Sequence, residues 1–217
     1  MVQSIYYLVV AICFIASLIA YKYNRSFKVL PWLMGTSVIV EAMAAVLTFI
    51  YGINPFWLYH IYLLVYSGLM TYFFYHLISE PSIKKILVIT FFIYIIISLY
   101  LTLFFYSLTD FPGLSMNLLG FLLISCSVYV IFTLEPVNNI PLYKHPVAWI
   151  CIGIIVFYTG TFFLNGIYNY LILSKSKNRV IIHSIINNGL NCFMYLSFIM
   201  GLVCSHRLKK YTSPITK

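Results

Sequence analysis

The chain alternates seven long apolar runs with short polar breaks. A lipid hydrocarbon core about 30 Å thick needs roughly 20 apolar residues for a helical crossing, and each run is close to that length. The pattern predicts an all-α integral membrane bundle of seven transmembrane helices in one domain, residues 1–217. The predicted helices are 5–21, 30–51, 56–78, 86–106, 113–134, 146–173 and 180–204.

Composition agrees with this prediction. The chain is 63% hydrophobic and 8% charged, and its mean hydropathy is +0.98. A water-soluble domain of this composition would expose large apolar patches, so the expected surroundings are a lipid bilayer. The breaks are short and contain Pro, Gly and charged residues, which favours antiparallel packing of consecutive helices.

The basic residues give the expected orientation. If the N-terminus is outside, ten of the 13 Lys and Arg residues lie on the cytoplasmic side: Lys22, Arg25, Lys28, Lys84, Lys85, Lys144, Arg207, Lys209, Lys210 and Lys217. Lys175, Lys177 and Arg179 lie outside. This bias predicts an N-out, C-in orientation in the plasma membrane. The formal charge of +9 therefore reflects topology, and no nucleic-acid partner is expected.

The first run and the cysteines fit the same picture. Met1 to Ser4 carry no charge, and Lys22 follows the first apolar run, so the first helix is expected to be retained and not to be a cleaved signal peptide. The five cysteines lie in apolar segments without a CxxC pair. They are interpreted as small buried hydrophobic residues.

Polar residues inside the predicted spans are the candidates for function. An ionisable group at the centre of a membrane helix costs at least about 2.5–3.5 kcal/mol, and Glu41 is the one acid deep within a span. In the last helix His183, Asn187, Asn191 and Tyr195 recur every four residues and share one face.

From their positions along the predicted helices, these candidates are expected to lie in the outer half of the bundle or near its midplane. We predict an outward-facing ligand cavity between helices two, three, five, six and seven, with the apolar helices one and four facing lipid or a second copy in a homo-oligomer. The candidate ligand-binding residues are Glu41, His60, Tyr66, Asn117, Asn165, Asn169, His183, Asn187 and Asn191. A purely structural polar core, held by interhelical hydrogen bonds, is the alternative.

Several known chemistries do not fit the sequence. The last helix lacks the lysine that binds retinal in microbial rhodopsins. The chain has no HxxxH pair, and His76 stands alone near the inner end, unlike the three histidines and aspartate of seven-helix zinc hydrolases. Glu41 has no Ser and His in a triad motif. We therefore expect no metal, no cofactor and no catalytic residue.

Two stretches carry a resemblance. The segment from Trp149 to Leu164, followed by the segment from His183 to Tyr195, resembles a family of small bacterial seven-helix membrane proteins of no established activity. Glu41 and the segment from Asn54 to Tyr62 fit the same family. By layout, this resemblance implies an analogy with the membrane halves of bacterial sensory systems.

The expected function is that of a receptor-like or sensory membrane protein. It would bind a small or lipidic ligand in the cavity and pass a helix shift to a cytoplasmic signalling protein. A membrane-embedded lipid-modifying enzyme, with Glu41 as acid/base, is one alternative. A structural subunit of a larger membrane complex is the other.

Overall fold

The computed structural model describes residues 2–20, 26–134, 141–173 and 179–212. Within these ranges it describes only the backbone of residues 2–4, 20, 26, 166–173, 179–181 and 208–212. Throughout the described ranges the protein is all-α and contains no β-strand. The seven α-helices are α1 (Val2–Ala20), α2 (Leu30–Phe49), α3 (Phe56–Leu77), α4 (Pro81–Tyr100), α5 (Gly113–Thr133), α6 (Pro146–Leu173) and α7 (Arg179–Thr212).

The helix boundaries follow local chemistry. Proline occupies the first turn of α2, α4 and α6, where its missing N–H costs no hydrogen bond. Gly52 has φ +64° in the turn between α2 and α3, a conformation that suits glycine. α4 begins at Pro81 and not at 86, and α7 continues to Thr212 and not to 204. Both extensions contain lysines, which favour helix but are invisible to a hydrophobicity pattern.

Five helical segments are long and apolar enough to cross a membrane, and they indicate a membrane protein. They are Phe27–Phe49, Pro81–Phe105, Gly113–Thr133, Pro146–Asn165 and Ile182–Arg207. In α1 the apolar segment Ile5–Ile19 is shorter. In α3 five tyrosines and two histidines lower the hydropathy.

Six helices form a closed ring. Each helix contacts the next in the order α1, α2, α3, α5, α6, α7, and α7 contacts α1. The apolar α4 packs on α3 and α5 from outside the ring. The expectation that α1 is not among the helices around the cavity is wrong: α1 fills the gap between α2 and α7 and buries Tyr6, Val10 and Cys13 there, while Leu8 and Ile15 on its other face are exposed.

The two ends of the bundle differ in charge. We call one the basic end, because it carries Lys28, Lys84, Lys85, Lys144 and Arg207. We call the other the cavity end; there the chain turns at residues 50–55 and 106–112. Because consecutive helices run antiparallel, the start of α1, the end of α2, the start of α3 and the start of α7 all lie at the cavity end.

The solid core lies towards the basic end. Phe27 stacks on Phe73 with ring centroids 6.5 Å apart, and Phe73 contacts Phe74 edge to face at 5.4 Å. All three rings are fully buried. Nearby, α6 and α7 approach closely at a glycine: a Cβ added to Gly201 would lie 2.7 Å from the carbonyl oxygen of Pro146. Small residues of this kind let membrane helices pack backbone to backbone.

Candidate ligand-binding cavity

A cavity of about 540 Å³ opens at the cavity end, within the range usual for ligand sites. All six ring helices line it. The lining residues are Tyr6, Glu41, Phe56, Tyr59, Tyr62, Leu63, Tyr66, Phe111, Pro112, Met116, Phe157, Tyr158, Thr161, Leu164, Asn165, His183, Asn187, Asn191, Met194 and Tyr195. Nearly half of these residues are Phe or Tyr, and a small set of polar groups lies among them.

Glu41 supplies the carboxylate of this lining. Tyr6 of α1 donates a hydrogen bond from its hydroxyl to Glu41 Oε1 at 3.0 Å. Tyr59 and Tyr62 of α3 and Tyr195 of α7 belong to the same cavity lining. The Tyr6–Glu41 hydrogen bond thus joins α1 to α2 at a cavity wall to which α3 and α7 also contribute.

A second group of hydroxyls lies deeper in α2 and α3. The Ser37 Oγ and Tyr62 hydroxyl are 2.8 Å apart, and the rings of Tyr62 and Tyr66 are 5.4 Å apart. Tyr66 is 4% exposed, and its hydroxyl has no hydrogen-bond partner within 3.5 Å among the described residues; the phenol of Tyr158 is its polar neighbour. A buried hydroxyl at a cavity wall is a donor available to a ligand.

The polar stripe of α7 faces the cavity. His183, Asn187, Asn191 and Tyr195 all line it, as their spacing of four predicts. Asn191 Nδ2 donates to the Asn187 carbonyl oxygen at 2.9 Å, so part of its hydrogen-bonding capacity is used within the helix. In α6 the corresponding stripe is Tyr158, Thr161 and Asn165, which also lines the cavity.

The amides of α5 and α6 meet behind this wall. Asn165 Nδ2 donates to Asn117 Oδ1 at 3.0 Å. Asn165 lines the cavity, whereas Asn117 does not and instead holds the Asn165 amide in place. The side chain of Asn169, another candidate residue, is not among those that the structure describes.

His60 does not line the cavity, in contrast to the expectation. Its Nδ1 lies 2.9 Å from Thr102 Oγ1, and its Nε2 lies 3.1 Å from the carbonyl oxygen of Asp110. Both ring nitrogens are therefore used to tie α3 to the turn after α4. Thr102 belongs to the π-helical turn Leu101–Phe105, which extends α4.

The segment 106–112 covers part of the cavity. Asn54 Nδ2 donates to the Thr109 carbonyl oxygen at 3.0 Å, and the ring of Phe111 contacts Phe56 and Tyr59 at 5.8 and 6.1 Å. Phe111 and Pro112 reach the cavity wall. His60 thus acts on the cavity indirectly, by anchoring the segment that covers it.

Sequence reasoning underestimated the tyrosines. Tyr66 was a candidate and Tyr195 belonged to the polar stripe, but four further tyrosines also line the cavity: Tyr6, Tyr59, Tyr62 and Tyr158. The spacing of Tyr59, Tyr62 and Tyr66 by three and four residues was a signal that they share one face of α3. Tyr6 carried no such signal, because α1 has almost no other polar residue.

The chemistry open to this site is limited by its side chains. Among the described residues no group of three or more His, Cys, Asp or Glu side chains could hold a metal ion. The lining offers one carboxylate, one imidazole, three amides and many phenols, with no lysine or arginine. Such a wall can hydrogen-bond a ligand, stack on it and compensate a positive charge.

No protein-family model, curated protein or solved structure matches the chain. The resemblance to small bacterial seven-helix proteins therefore stays an expectation.

Proposed function

We propose that the protein is a receptor-like membrane protein that binds a small or lipidic ligand in the cavity and signals to a cytoplasmic partner. The observation that carries the proposal is the convergence of Glu41, Asn165, His183, Asn187 and Asn191 on one hollow. Polar groups are costly in a membrane unless they are paired or used, and a solid polar core would leave no hollow between them.

The proposed topology is seven spans with the cavity end outside. It is supported by the basic end, where Lys84 lies 5.0 Å from the ring centre of Tyr75 and Lys144 lies 5.7 Å from that of Tyr143. Lysines beside aromatic rings are typical of a cytoplasmic membrane interface. We place the protein in the bacterial inner membrane on this charge bias together with the resemblance to small bacterial seven-helix proteins.

α7 is the proposed path of the signal. It is one continuous helix, Arg179–Thr212, which carries the cavity stripe in its first half and Arg207, Lys209 and Lys210 in its last turns. A displacement of α7 on ligand binding would therefore move basic residues at the opposite end. Because α6 and α7 are in close backbone contact at Gly201, we expect them to move as a pair.

Ligand retention tests the binding proposal. Asn187 lines the cavity, whereas its neighbour Asn188 does not and instead donates to Ser184 Oγ at 3.4 Å. We expect native mass spectrometry of the protein, extracted in mild detergent, to show a bound small molecule or lipid that Asn187→Phe loses and Asn188→Phe keeps. Equal retention by both variants would place the ligand elsewhere, and an empty wild type would argue against the proposal.

Cysteine labelling tests the orientation. In a variant with the five native cysteines replaced, Asn187→Cys should react with a membrane-impermeant maleimide added outside intact cells. A cysteine at Lys144, at the basic end, should react only after the cells are opened. The reverse pattern would invert the topology.

The Tyr6–Glu41 hydrogen bond gives specific support to the second candidate, a lipid-modifying enzyme. A carboxylic acid beside a phenol, at the wall of a cavity, can transfer a proton to or from a substrate. If the protein is such an enzyme, wild type reconstituted in vesicles of total host lipid should convert a lipid of the host membrane. The Glu41→Gln variant should convert none. Unchanged lipid composition with wild type would leave the receptor as the better proposal.

A further inference from the structure

Nine aromatic rings and one carboxylate line the cavity. The aromatic residues are Tyr6, Phe56, Tyr59, Tyr62, Tyr66, Phe111, Phe157, Tyr158 and Tyr195. Their faces are electron-rich and attract cations, and cages of such rings are used to bind quaternary ammonium groups. The aromatic wall therefore favours a positive ligand over a neutral or negative one.

The carboxylate lies among these rings and not apart from them. Glu41 accepts its hydrogen bond from Tyr6, and the Tyr6 ring lies 6.2 Å from that of Tyr195. Tyr59 and Tyr62 of α3 line the same cavity. Aromatic rings of α1, α3 and α7 thus line the cavity that contains this acid.

The protein supplies no lysine or arginine to this acid within the cavity lining that the structure describes. An ionised carboxylate in an apolar setting is costly unless a positive partner compensates it. The His183 imidazole belongs to the same lining. A ligand cation next to Glu41 would favour the ionised carboxylate over the neutral acid.

We infer that the cavity binds an organic ammonium group, with Glu41 as its counter-ion and Tyr6, Tyr59, Tyr62 and Tyr195 as its aromatic cage. This inference rests on the proposed function and names the ligand class. At about 540 Å³ the cavity exceeds an ammonium group alone, so the ligand carries an apolar body that occupies the space between Phe157, Tyr158 and Leu164.

A pair of isosteric probes tests the inference. Choline and 3,3-dimethylbutan-1-ol have nearly the same shape, but only choline carries a charge. The full-length protein is placed in nanodiscs of phosphatidylglycerol, which lack choline headgroups, and binding is measured by calorimetry and by thermal unfolding. We expect choline to bind at least about tenfold more tightly than the alcohol, as a desolvated cation–aromatic contact predicts.

Variants locate the binding. Glu41→Gln should reduce the preference for choline severalfold, because the counter-ion is lost while the rings remain. Tyr195→Leu should weaken choline binding about tenfold, while the matched change Tyr100→Leu, on the exposed side of α4, should leave it unchanged. Because the two probes are also compared on wild type, a variant that fails to fold does not remove the test.

The outcomes separate the inference from the function on which it rests. Equal binding of choline and the alcohol, or a preference that Glu41→Gln leaves undiminished, would overturn the ammonium ligand while leaving a ligand-binding cavity in place. Binding of neither probe, together with a bound lipid or small molecule that Asn187→Phe loses, would also overturn the inference alone. Binding of neither probe and an empty purified protein would overturn both.

Discussion

The two ends of the bundle are built from the same helices but differ in what fills the centre. At the basic end the rings of Phe27, Phe73 and Phe74 are fully buried against one another. At the cavity end Tyr6 and Glu41 border a hollow of about 540 Å³. One end is close-packed and apolar, and the other is open and polar.

This difference indicates where stability and function reside. Lipid tails are as apolar as a protein core, so membrane helices associate through close packing and hydrogen bonds and gain little from hydrophobic burial. The basic end supplies that packing. The cavity end gives up contacts around the hollow, and such a departure from a filled core is typical of a functional site.

The largest expected effect is at Phe73, in the solid core. Phe73→Ala should lower the free energy of unfolding by about 3 kcal/mol, because the ring is fully buried and leaves a void behind. Its matched control is Phe132→Ala, at a side chain 85% exposed on α5, which should change stability little. Thermal unfolding in one detergent compares them. Similar losses for both would contradict the assignment of the core to the basic end.

The next effect is at the contact between α6 and α7. Gly201→Ala should cost about 1–3 kcal/mol, because the new methyl group would meet the Pro146 carbonyl oxygen and the Ile150 side chain.

Gly189→Ala is the control on the same helix, at the cavity end. Nothing lies within 4 Å of its added Cβ, so this change should stabilise α7 by up to about 1 kcal/mol. Unfolding curves should therefore move in opposite directions. A stabilised Gly201→Ala variant would mean that α6 and α7 are not in close contact.

Much of this architecture could be predicted from periodicity. The stripe of His183, Asn187, Asn191 and Tyr195 is a property of one helix, so its shared face follows from spacing alone. The same is true of the bounds of α6, which are those that its apolar run predicts. Features that depend on a single helix, such as its bounds and its polar face, can be predicted from the sequence.

Side-chain contacts between elements that are far apart in the sequence could not be predicted. Tyr6 meets Glu41 only because α1 closes the ring between α2 and α7, and α1 by itself has the pattern of a lipid-facing helix. His60 instead contacts Thr102 and the carbonyl oxygen of Asp110, which are more than forty residues away along the chain. Thr102 lies on a π turn that periodicity does not reveal. These contacts depend on the order of the helices in space.

A smaller effect tests that pairing at the cavity end. Tyr6→Phe keeps the ring but removes the hydrogen bond to Glu41, and it should cost about 1 kcal/mol. Tyr100→Phe, at an exposed tyrosine, should cost nothing measurable. A double-mutant cycle with Glu41→Leu, which removes the acceptor, should give a coupling energy of similar size. Additive losses would show that the two side chains do not interact.

The smallest effect concerns His145, at the basic end just before α6. Its Nδ1 is buried without a hydrogen-bond partner among the described residues, and burial lowers the pKa of this imidazole below its ordinary value of 6.5. The fold therefore favours the neutral ring. The neutral His145 ring makes its full contribution to the free energy of unfolding when the pH is above the pKa that this ring has in the unfolded chain. The contribution is lost as the pH falls through that pKa towards the lower pKa of the ring in the folded protein.

Wild type should accordingly lose slightly more thermal stability than His145→Gln between about pH 8 and pH 5.5, by at most about 2 °C in Tm. The two proteins share every other titratable group, so the difference between their pH profiles isolates His145. A steeper fall for His145→Gln than for wild type would mean that the protonated ring is stabilised, and the basic end would then be more hydrated around His145 than its burial indicates.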